Sequence, residues 1–389
     1  MRTLAVLTLL LASLLVGDPA GAAAPRIVTV ALPVPAGYTG SAEDINSSGQ
    51  VAGSVERGAT RQPVRWDGST RVDLPIGELP AGGAAEINDA GTVFGIVGGG
   101  AGTYNFARLW RADGSTEDCA AGYYFTGLLR LNERDQSVLE TSQPRGGGSN
   151  GVLFCPAVGH VTPTGGYFVR AYGIDDAGRV GGGTVFVAER KHRPTIVRPG
   201  ADPVYLPIPE GTAGHVYDFG PAGTVVGALG QPTLSSGSSG VWGFTLIPEQ
   251  AVVWVGDRMI RLGTLGGPTS APLTTGRGVN RIGDIVGTSV TASGQTHGFR
   301  WRLGRMTDIG TLGGPSSTPA AVDDLGQIVG TSTTESGETH AFLWTGGRMI
   351  DLAPGETAST ATAINNRGQI AGSITTADGT RPVVWTVRR

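Results

Sequence analysis

The feature that most constrains this chain is a phrase of about 43 residues that occurs eight times. It reads Ile/Val-Asn/Asp-x-x-Gly-x-Ile/Val-x-Gly, then His/Arg-x-Phe/Val-x-Trp, then Met/Val-x-Asp-Leu/Ile. The turn glycines are Gly49, Gly91, Gly178, Gly223, Gly283, Gly326 and Gly368, and Asp135 replaces the glycine in the third copy. A period of this length indicates a supersecondary unit that buries its apolar face only by stacking on copies of itself.

Each copy has the pattern of β-strands. In residues 321–351, the clearest copy, segments of four or five β-branched or aromatic residues alternate with Gly, Ser, Thr and Asp. This pattern is typical of strands and turns. We therefore expect four antiparallel strands per copy, named a, b, c and d from the inside outward.

The constant residues are explained by folding. The Asn or Asp that begins the a-to-b turn caps the turn, and the glycine three residues later adopts the left-handed conformation. Six tryptophans end strand c and face small glycines of strand b, which predicts packing between sheets. A row of rings that stack on carbohydrate is the alternative. The six are Trp66, Trp110, Trp254, Trp301, Trp344 and Trp385.

The ends of the repeat array predict a closed ring. The eighth copy lacks strand d, and residues 26–32 before the first copy resemble the strand d of the seventh. We expect an all-β fold, an eight-bladed β-propeller of four-stranded antiparallel blades, closed by pairing of the N-terminal strand with the last blade. Seven blades remain possible because the third copy is degenerate, and an open solenoid is the other alternative.

The predicted organisation is a signal peptide at 1–22 and one propeller domain at 23–389. An insertion near 235–250 lengthens the fifth copy. The repeats start near 41, 83, 127, 170, 215, 275, 318 and 360.

Composition agrees with a secreted chain rich in turns. The chain has 65 glycines and 24 prolines in 389 residues, many at fixed places in the repeat. Its net charge of -3 offers no basic excess for nucleic acid. Residues 1–22 combine Arg2, an apolar run too short to span a membrane, and the small residues 20–22, which is typical of an export signal. We expect a secreted, extracellular monomer with no membrane span.

The only cysteines, Cys119 and Cys155, lie 36 residues apart in consecutive copies. Export to an oxidising compartment predicts a disulfide between them. Two separately buried thiols are the alternative.

One column breaks the internal pattern near the predicted channel. The residue before the last apolar position of strand a is charged in four copies and small in the others. Asp44 and Glu86 are candidate catalytic carboxylates for acid–base work on a sugar. Arg130 and Asp218 are candidate binding residues. The alternative is that Asp44 and Glu86 pair with Arg130 or solvent.

Further candidates lie on the predicted loop face, which carries the b-to-c loops and the d-to-a connections. Trp242 and Phe244 belong to the insertion, and function concentrates in such additions. His297 and His340 begin strand c in neighbouring copies, where a histidine bonded to a loop backbone is the alternative. No pattern of metal ligands is present, and we predict neither a metal nor a cofactor.

Two sequence features carry a family resemblance. His340-Ala341-Phe342 and the similar His297-Gly298-Phe299, together with the GTLGG segments within 261–267 and 308–314, resemble the HAF family of bacterial extracellular repeat proteins. The match is clearest in residues 258–389 and fades toward the first four copies. The resemblance implies export and repeat architecture. Because the family has no established biochemical role, it assigns no catalytic residue.

Three functions are compatible with the sequence. The sequence favours a secreted propeller that acts as a binding or scaffold module for a protein or glycan through its loop face. A secreted glycan-active hydrolase or lyase that uses channel carboxylates is the alternative, and a purely structural surface protein is the third. Catalysis is the less favoured reading because folding explains the constant residues.

Overall fold

The computed structural model describes residues 25–98, 105–119, 124–125, 130–142, 151–155, 160–161, 167–186, 191–236, 242–274 and 277–388. These residues form thirty-three strands, beginning with β1 (Arg26–Ala31), and one 3-10 turn, Pro221–Gly223, without any α-helix. The prediction of an all-β fold of antiparallel sheets is therefore confirmed. The predicted signal peptide at 1–22 lies outside the described residues. Within them, no helix has the length and hydropathy of a membrane span.

The first two copies form one sheet of eight strands. Within each copy strand a pairs with b, b with c, and c with d, always antiparallel. One parallel pairing, Arg61 with Ala81, joins the two copies. The strands are β2 (Thr39–Ile45), β3 (Gln50–Arg57), β4 (Thr60–Asp67), β5 (Thr70–Asp73), β6 (Ala81–Ile87), β7 (Val93–Gly98), β8 (Asn105–Trp110) and β9 (Thr116–Cys119).

The third, fourth and fifth copies each form a separate sheet. In the third copy strand a is divided into two short pieces that pair with the same neighbour. The strands are β10 (Tyr124–Phe125), β11 (Arg130–Leu131), β12 (Ser137–Ser142), β13 (Gly151–Cys155), β14 (His160–Val161), β15 (Tyr167–Ile174), β16 (Val180–Phe186), β17 (Lys191–Val197), β18 (Val204–Tyr205), β19 (Ala213–Phe219), β20 (Val225–Ser236), β21 (Trp242–Val255) and β22 (Arg258–Arg261).

The sixth and seventh copies repeat the arrangement of the first two, with Thr296 and Ser316 as the parallel pair. The eighth copy supplies three strands of the last sheet. The strands are β23 (Gly266–Pro272), β24 (Ile285–Thr291), β25 (Thr296–Arg302), β26 (Arg305–Asp308), β27 (Gly313–Val322), β28 (Ile328–Thr334), β29 (Thr339–Thr345), β30 (Arg348–Asp351), β31 (Ala358–Ile364), β32 (Gln369–Thr376) and β33 (Gly379–Arg388).

The fourth strand of the last sheet comes from the N-terminus. β1 pairs antiparallel with β33, from Arg26 opposite Arg388 to Ala31 opposite Val383. The sheet order is β1-β33-β32-β31. Leu32, which follows β1, and buried apolar side chains of the first copy such as Val51 and Trp66 pack in one cluster with Ala371 of the eighth copy and its neighbours. The first and last copies are therefore joined by hydrogen bonds and by burial.

The turn asparagine serves its own turn through its side-chain oxygen. Asn46 Oδ1 accepts hydrogen bonds from the amides of Ser48 (3.1 Å) and Gln50 (2.9 Å). The amide of Gly49 donates to the Asn46 carbonyl, and Gly49 has a φ of 91°. In the third copy Asp135 adopts the same conformation without being glycine, with a φ of 58°.

The same asparagines also join neighbouring copies through the side-chain nitrogen. Nδ2 of each donates to the main-chain carbonyl of the corresponding turn residue in the next copy. The series crosses from the eighth copy to the first. We call these bonds the turn belt. They are Asn365 to Asn46 (2.9 Å), Asn46 to Asn88 (3.0 Å), Asn88 to Asn132 (3.1 Å), Asn132 to Asp175 (2.8 Å) and Asn280 to Asp323 (2.7 Å).

The tryptophans fill the space that the strand-b glycines leave. A Cβ on Gly53 would lie 2.0 Å from the Ser41 carbonyl oxygen and 2.8 Å from the ring of Trp66. The indole nitrogens of three tryptophans donate to proline carbonyls in the d-to-a connections, which fixes those connections to the sheets. The pairs are Trp66 with Pro33, Trp110 with Pro75 and Trp254 with Pro207.

A disulfide joins the second and third copies. Cys119 on β9 is bonded to Cys155 on β13, with 5.5 Å between the two Cα atoms. Both residues are buried in a cluster with Phe94 and Leu109.

The extra length predicted at 235–250 is divided between two places. One part extends the hairpin of β20 and β21, which have 12 and 14 residues where β28 and β29 have 7 each. The other part lies in the sixth copy. There seven residues separate Pro272 from Asn280, whereas three separate Pro319 from Asp323.

The pairing of β1 with β33 gives a first testable prediction. Removing residues 26–32 from a chain that starts at Ala23 deletes a whole strand and uncovers the apolar cluster at the first copy. We expect the thermal midpoint to fall by about 10 °C, because several kcal/mol of burial and pairing are lost. Circular dichroism measures the midpoint. Removing residues 23–25 alone is the control and should leave it unchanged. A truncated chain that melts with the parent contradicts a stabilising role for β1.

The turn belt gives a second prediction. Asn88→Ala removes bonds to the Thr92 amide, the Asn132 carbonyl and the Asp135 carboxylate at a buried position. The unsatisfied groups should lower the free energy of unfolding by roughly 2–3 kcal/mol. Urea denaturation measures the change. Ala90→Ser in the same exposed turn is the matched control, because the first copy has Ser48 at this position, and it should change little. A loss under 0.5 kcal/mol for Asn88→Ala would rule out this role for the belt.

Candidate functional site

The candidate site is a cavity of about 1260 Å³ whose wall takes residues from strand a, or the segment just after it, in all eight copies. It extends from residues near the loop ends of the strands, such as Arg61 and Thr331, to residues in the a-to-b turns, such as Asp176 and Arg281. The variable column predicted from the sequence lies in this wall. Its members there are Asp44, Glu86, Arg130, Gly173, Asp218, Ala321 and Ala363.

β-Bulges in strand a precede the column in six copies. The pairing of strands a and b shifts by one residue between Ala42 and Asp44, and between Ala84 and Glu86. The same shift occurs in the fourth, fifth, seventh and eighth copies. A bulge changes the direction of the side chain that follows it, and bulges are common beside binding sites. In these six copies the repeat thus places one variable residue at the cavity.

The two candidate catalytic carboxylates are held by hydrogen bonds to the next copy. Asp44 accepts from the amides of Ile45 (2.8 Å) and Ile87 (3.0 Å). Glu86 accepts from the Leu131 amide (2.6 Å) through one oxygen and from the Arg130 guanidinium (3.0 Å) through the other. Every carboxylate oxygen of the pair therefore has a donor within the protein.

Arg130 connects several copies across the cavity. Besides Glu86 of the second copy, its guanidinium donates to the carbonyls of Tyr172 (2.6 Å) in the fourth copy and Thr274 (2.8 Å) in the sixth. The alternative noted from the sequence, an ion pair between Glu86 and Arg130, is thus present. Asp44 is held by backbone amides.

Arg277 is a cavity residue that the sequence reading missed. It stands on the extra residues of the sixth copy, and its guanidinium is 3.8 Å from Glu133 of the third copy, with 48% of the side chain exposed. Asp44 is the main cause of its raised pKa. The sequence signal for Arg277 is the longer spacing before Asn280 than before Asp323. The prediction from sequence places all of the extra length in the fifth copy.

Burial perturbs the acids of the cavity. It raises the pKa of Asp44, against the opposing charge of Arg277, and that of Glu86, against Arg130. Burial raises the pKa of Asp218 to about 6, although the amides of Phe219 and Gly278 donate to this carboxylate. A carboxyl group with a pKa near 6 exchanges a proton close to neutral pH, as a general acid or a pH-sensitive ligand contact does.

His297 and His340 lie away from the cavity wall and belong to their own sheets. Nδ1 of His297 is 2.9 Å from Asp308, and Nδ1 of His340 is 2.7 Å from Asp351, each across strands c and d. His340 Nε2 lies 2.9 Å from the Glu356 carbonyl. Burial lowers the pKa of His340, but the hydrogen bond and charge of Asp351 outweigh it, so the pKa is raised. These contacts support the loop-backbone alternative for His340.

Trp242 and Phe244 lie on β21, opposite Ser236 and Leu234 of β20. They stand in the part of the hairpin that exceeds the other copies. No group of three or more His, Cys, Asp or Glu that could hold a metal ion occurs among the described residues.

Comparisons with known proteins assign no family. The sequence matches no protein-family model and no curated protein. In structure the chain is similar to uncomplexed acylaminoacyl peptidase of Pyrococcus horikoshii (10% identity, TM-score 0.49, 90% of this chain and 52% of that one). It is also similar to catalytically inactive virginiamycin B lyase of Staphylococcus aureus (10%, 0.40, 93% and 100%). This chain spans about half the length of the peptidase. Similarities at this level assign no activity.

The perturbed carboxyl group gives a third prediction. The pKa of Asp218 is about 6 in the folded protein and ordinarily 3.8. Between these values the folded protein takes up a proton that the unfolded chain does not. The free energy of unfolding of the parent should therefore rise by roughly 1 kcal/mol relative to Asp218→Asn between pH 7 and pH 5. Urea denaturation of both proteins at each pH measures it. A constant difference would show that Asp218 titrates normally.

Proposed function

We propose that the eight copies are eight four-stranded blades of one closed ring, and that the protein is a binding module whose site is the cavity at the centre of the ring. Wall residues from all eight copies and the pairing of β1 with β33 support the ring. The bond from Asn365 to Asn46, which continues the turn belt from the last copy to the first, supports it as well. The export signal proposed at 1–22 and the resemblance to HAF repeat proteins would place this module outside the cell.

The variable column carries the proposal. The repeated turn residues, tryptophans and His–Asp pairs are engaged in folding contacts. The column instead differs from copy to copy around a single cavity, with charged groups at Asp44, Glu86, Arg130 and Asp218 and glycine or alanine elsewhere. A repeat protein that needed these positions only for packing would repeat them. Charged residues in one part of a cavity and small residues in the rest are typical of a ligand site.

A protein or a glycan is the proposed ligand class. The hairpin of β20 and β21 supports access from the loop face, because its extra pairs extend the sheet beyond the ends of the other strands. At about 3.3 Å per residue, five extra residues add roughly 17 Å to a strand. Trp242 and Phe244 lie on this extension and are proposed as ligand contacts.

Catalysis by the channel carboxylates is the second candidate. The raised pKa values of Asp44, Glu86 and Asp218 favour it, since a glycosidase needs a carboxylic acid that is protonated near neutral pH. The hydrogen bonds of Asp44 and Glu86 argue against catalysis, because all four carboxylate oxygens already accept from donors within the protein. Binding without turnover is therefore the better-supported function.

A fourth prediction separates the two candidates. We expect the purified chain 23–389 to bind a subset of a glycan array and to release no reducing sugar from the glycans that bind. Asp44→Asn with Glu86→Gln should change the binding affinity if the cavity is the site, whereas Glu78→Gln outside the cavity wall should not. Release of reducing sugar that the double variant abolishes would establish the enzyme instead. Absence of glycan binding, followed by absence of any bound protein in a panel of extracellular proteins, would refute the binding module.

A further inference from the structure

We propose that the cavity binds an acidic saccharide, with the guanidinium groups of Arg277 and Arg61 as the anchors for its carboxylates. This inference rests on the proposed function, because it names the ligand class of the same site.

Four arginines line the wall, and two of them differ from Arg130 and Arg281 in how their donors are used, since Arg281 donates to Asp324. The guanidinium of Arg130 donates to Glu86, Tyr172 and Thr274, and these hydrogen bonds hold different copies together. Among the described residues, neither Arg277 nor Arg61 donates a side-chain hydrogen bond, and the nearest acid to Arg277 stands at 3.8 Å. Both therefore present unused donors to the cavity.

Special features of the sequence place these two side chains. Arg277 depends on the four extra residues of the sixth copy. Arg61 is the second residue of β4, strand c of the first copy, and lies over Gly83 of the second copy, where a Cβ would stand 3.0 Å from the Arg61 Cζ atom. A larger residue at position 83 would displace the guanidinium. Neither feature is part of the repeated phrase, and both supply a cation to the same cavity.

The donor geometry indicates a carboxylate. A guanidinium presents parallel N–H groups that match the two oxygens of a carboxylate, which makes a stronger contact than a neutral hydrogen bond. Among the described residues, no acid accepts a hydrogen bond from the Arg277 guanidinium. Asp44 accepts from amides, and Glu133 accepts from the Asp89 amide through Oε2, while its Oε1 forms only a long ion pair of 3.8 Å with Arg277.

The remaining wall indicates a sugar. Thr318, Thr331 and Thr360 line the same cavity, and no described partner holds their hydroxyl groups. Hydroxyls and carboxylates together match a ligand that carries many hydroxyl groups. The volume of about 1260 Å³ exceeds the roughly 300–1,000 Å³ of pockets for drug-sized ligands, which suits an oligosaccharide. An acidic peptide would satisfy the arginines but would offer fewer hydroxyl groups to the threonines.

The acids of the cavity make this binding dependent on pH. Asp44, Glu86, Glu133 and Asp89 surround Arg277, and Asp218 shares its wall. At pH 8 their charges repel an anion. As the pH falls to 5.5, Asp218, whose pKa burial raises to about 6, takes up a proton, while a sugar carboxylate with a pKa of about 3.5 stays ionised. Binding should therefore tighten on acidification.

The fifth prediction uses tetragalacturonate as the probe and isothermal titration calorimetry at pH 5.5 on the chain 23–389. Arg277→Met and Arg61→Met should each weaken binding at least about tenfold, the loss expected for one charge-assisted contact. Arg277→Lys should recover part of the affinity, because the charge remains without the fork. Arg71→Met is the matched control. It lies on β5, where Arg71 pairs with Asp73, and it should bind as the parent does.

Thermal melts show that each variant is folded. The affinity of the parent should be severalfold higher at pH 5.5 than at pH 8. Parent-like affinity in folded Arg277→Met and Arg61→Met overturns the inference. Equal affinity for a neutral tetrasaccharide, or a preference for a glutamate-rich peptide, also overturns the inference. These two results leave the proposed binding function intact. If none of the tested saccharides, peptides or proteins binds, both the acidic-saccharide site and the proposed binding function are refuted.

Discussion

The structure depends on a double use of one side chain, the asparagine that begins the a-to-b turn. Its oxygen closes the turn of its own copy, and its nitrogen binds the carbonyl of the same turn in the next copy. One residue therefore fixes both the hairpin and the distance to its neighbour. Asp175 and Asp323 close their turns through a carboxylate oxygen, but they have no side-chain NH2 group that could donate to the next copy. Asp175 instead accepts from Arg179 at 2.6 Å. Asparagine dominates this position for that reason.

Because the turns and tryptophans secure the copies, other positions are free to differ. The bulge in strand a places one such position at the cavity in six copies, and acids occupy it in three of them. Those acids accept hydrogen bonds from main-chain amides of the following copy. Asp44 accepts from Ile87, and Glu86 accepts from Leu131. They thus add local links between copies while giving the cavity its negative charge. The cations that oppose this charge are supplied by Arg130 and by additions such as Arg277.

The sequence was sufficient for features that repeat. The period, the positive φ at the turn glycines and the packing of tryptophan against glycine can be predicted because the same residues recur at the same positions in successive copies. Asp44, Glu86, Arg130 and Asp218, which share one column of the repeat, line the same cavity. Their partners were not foreseeable. The bond from Arg130 to Thr274 spans 144 positions in sequence, and the placement of Arg61 depends on a glycine in another copy. Burial raises the pKa of Asp218, and that burial is produced by several copies together.

The pairing of the first strand with the last also constrains the order of events during folding. Arg26 lies opposite Arg388, so this contact has nearly the greatest sequence separation that the chain allows. Sheets formed within one copy need only local encounters, whereas this sheet needs β1 to meet β33 across a large sequence separation. Until β1 and β33 pair, both strands have an unpaired edge and the apolar cluster at Leu32 is open. The pairing of β1 with β33 is therefore a late and entropically costly step, and a chain stalled before it presents strand edges that promote aggregation.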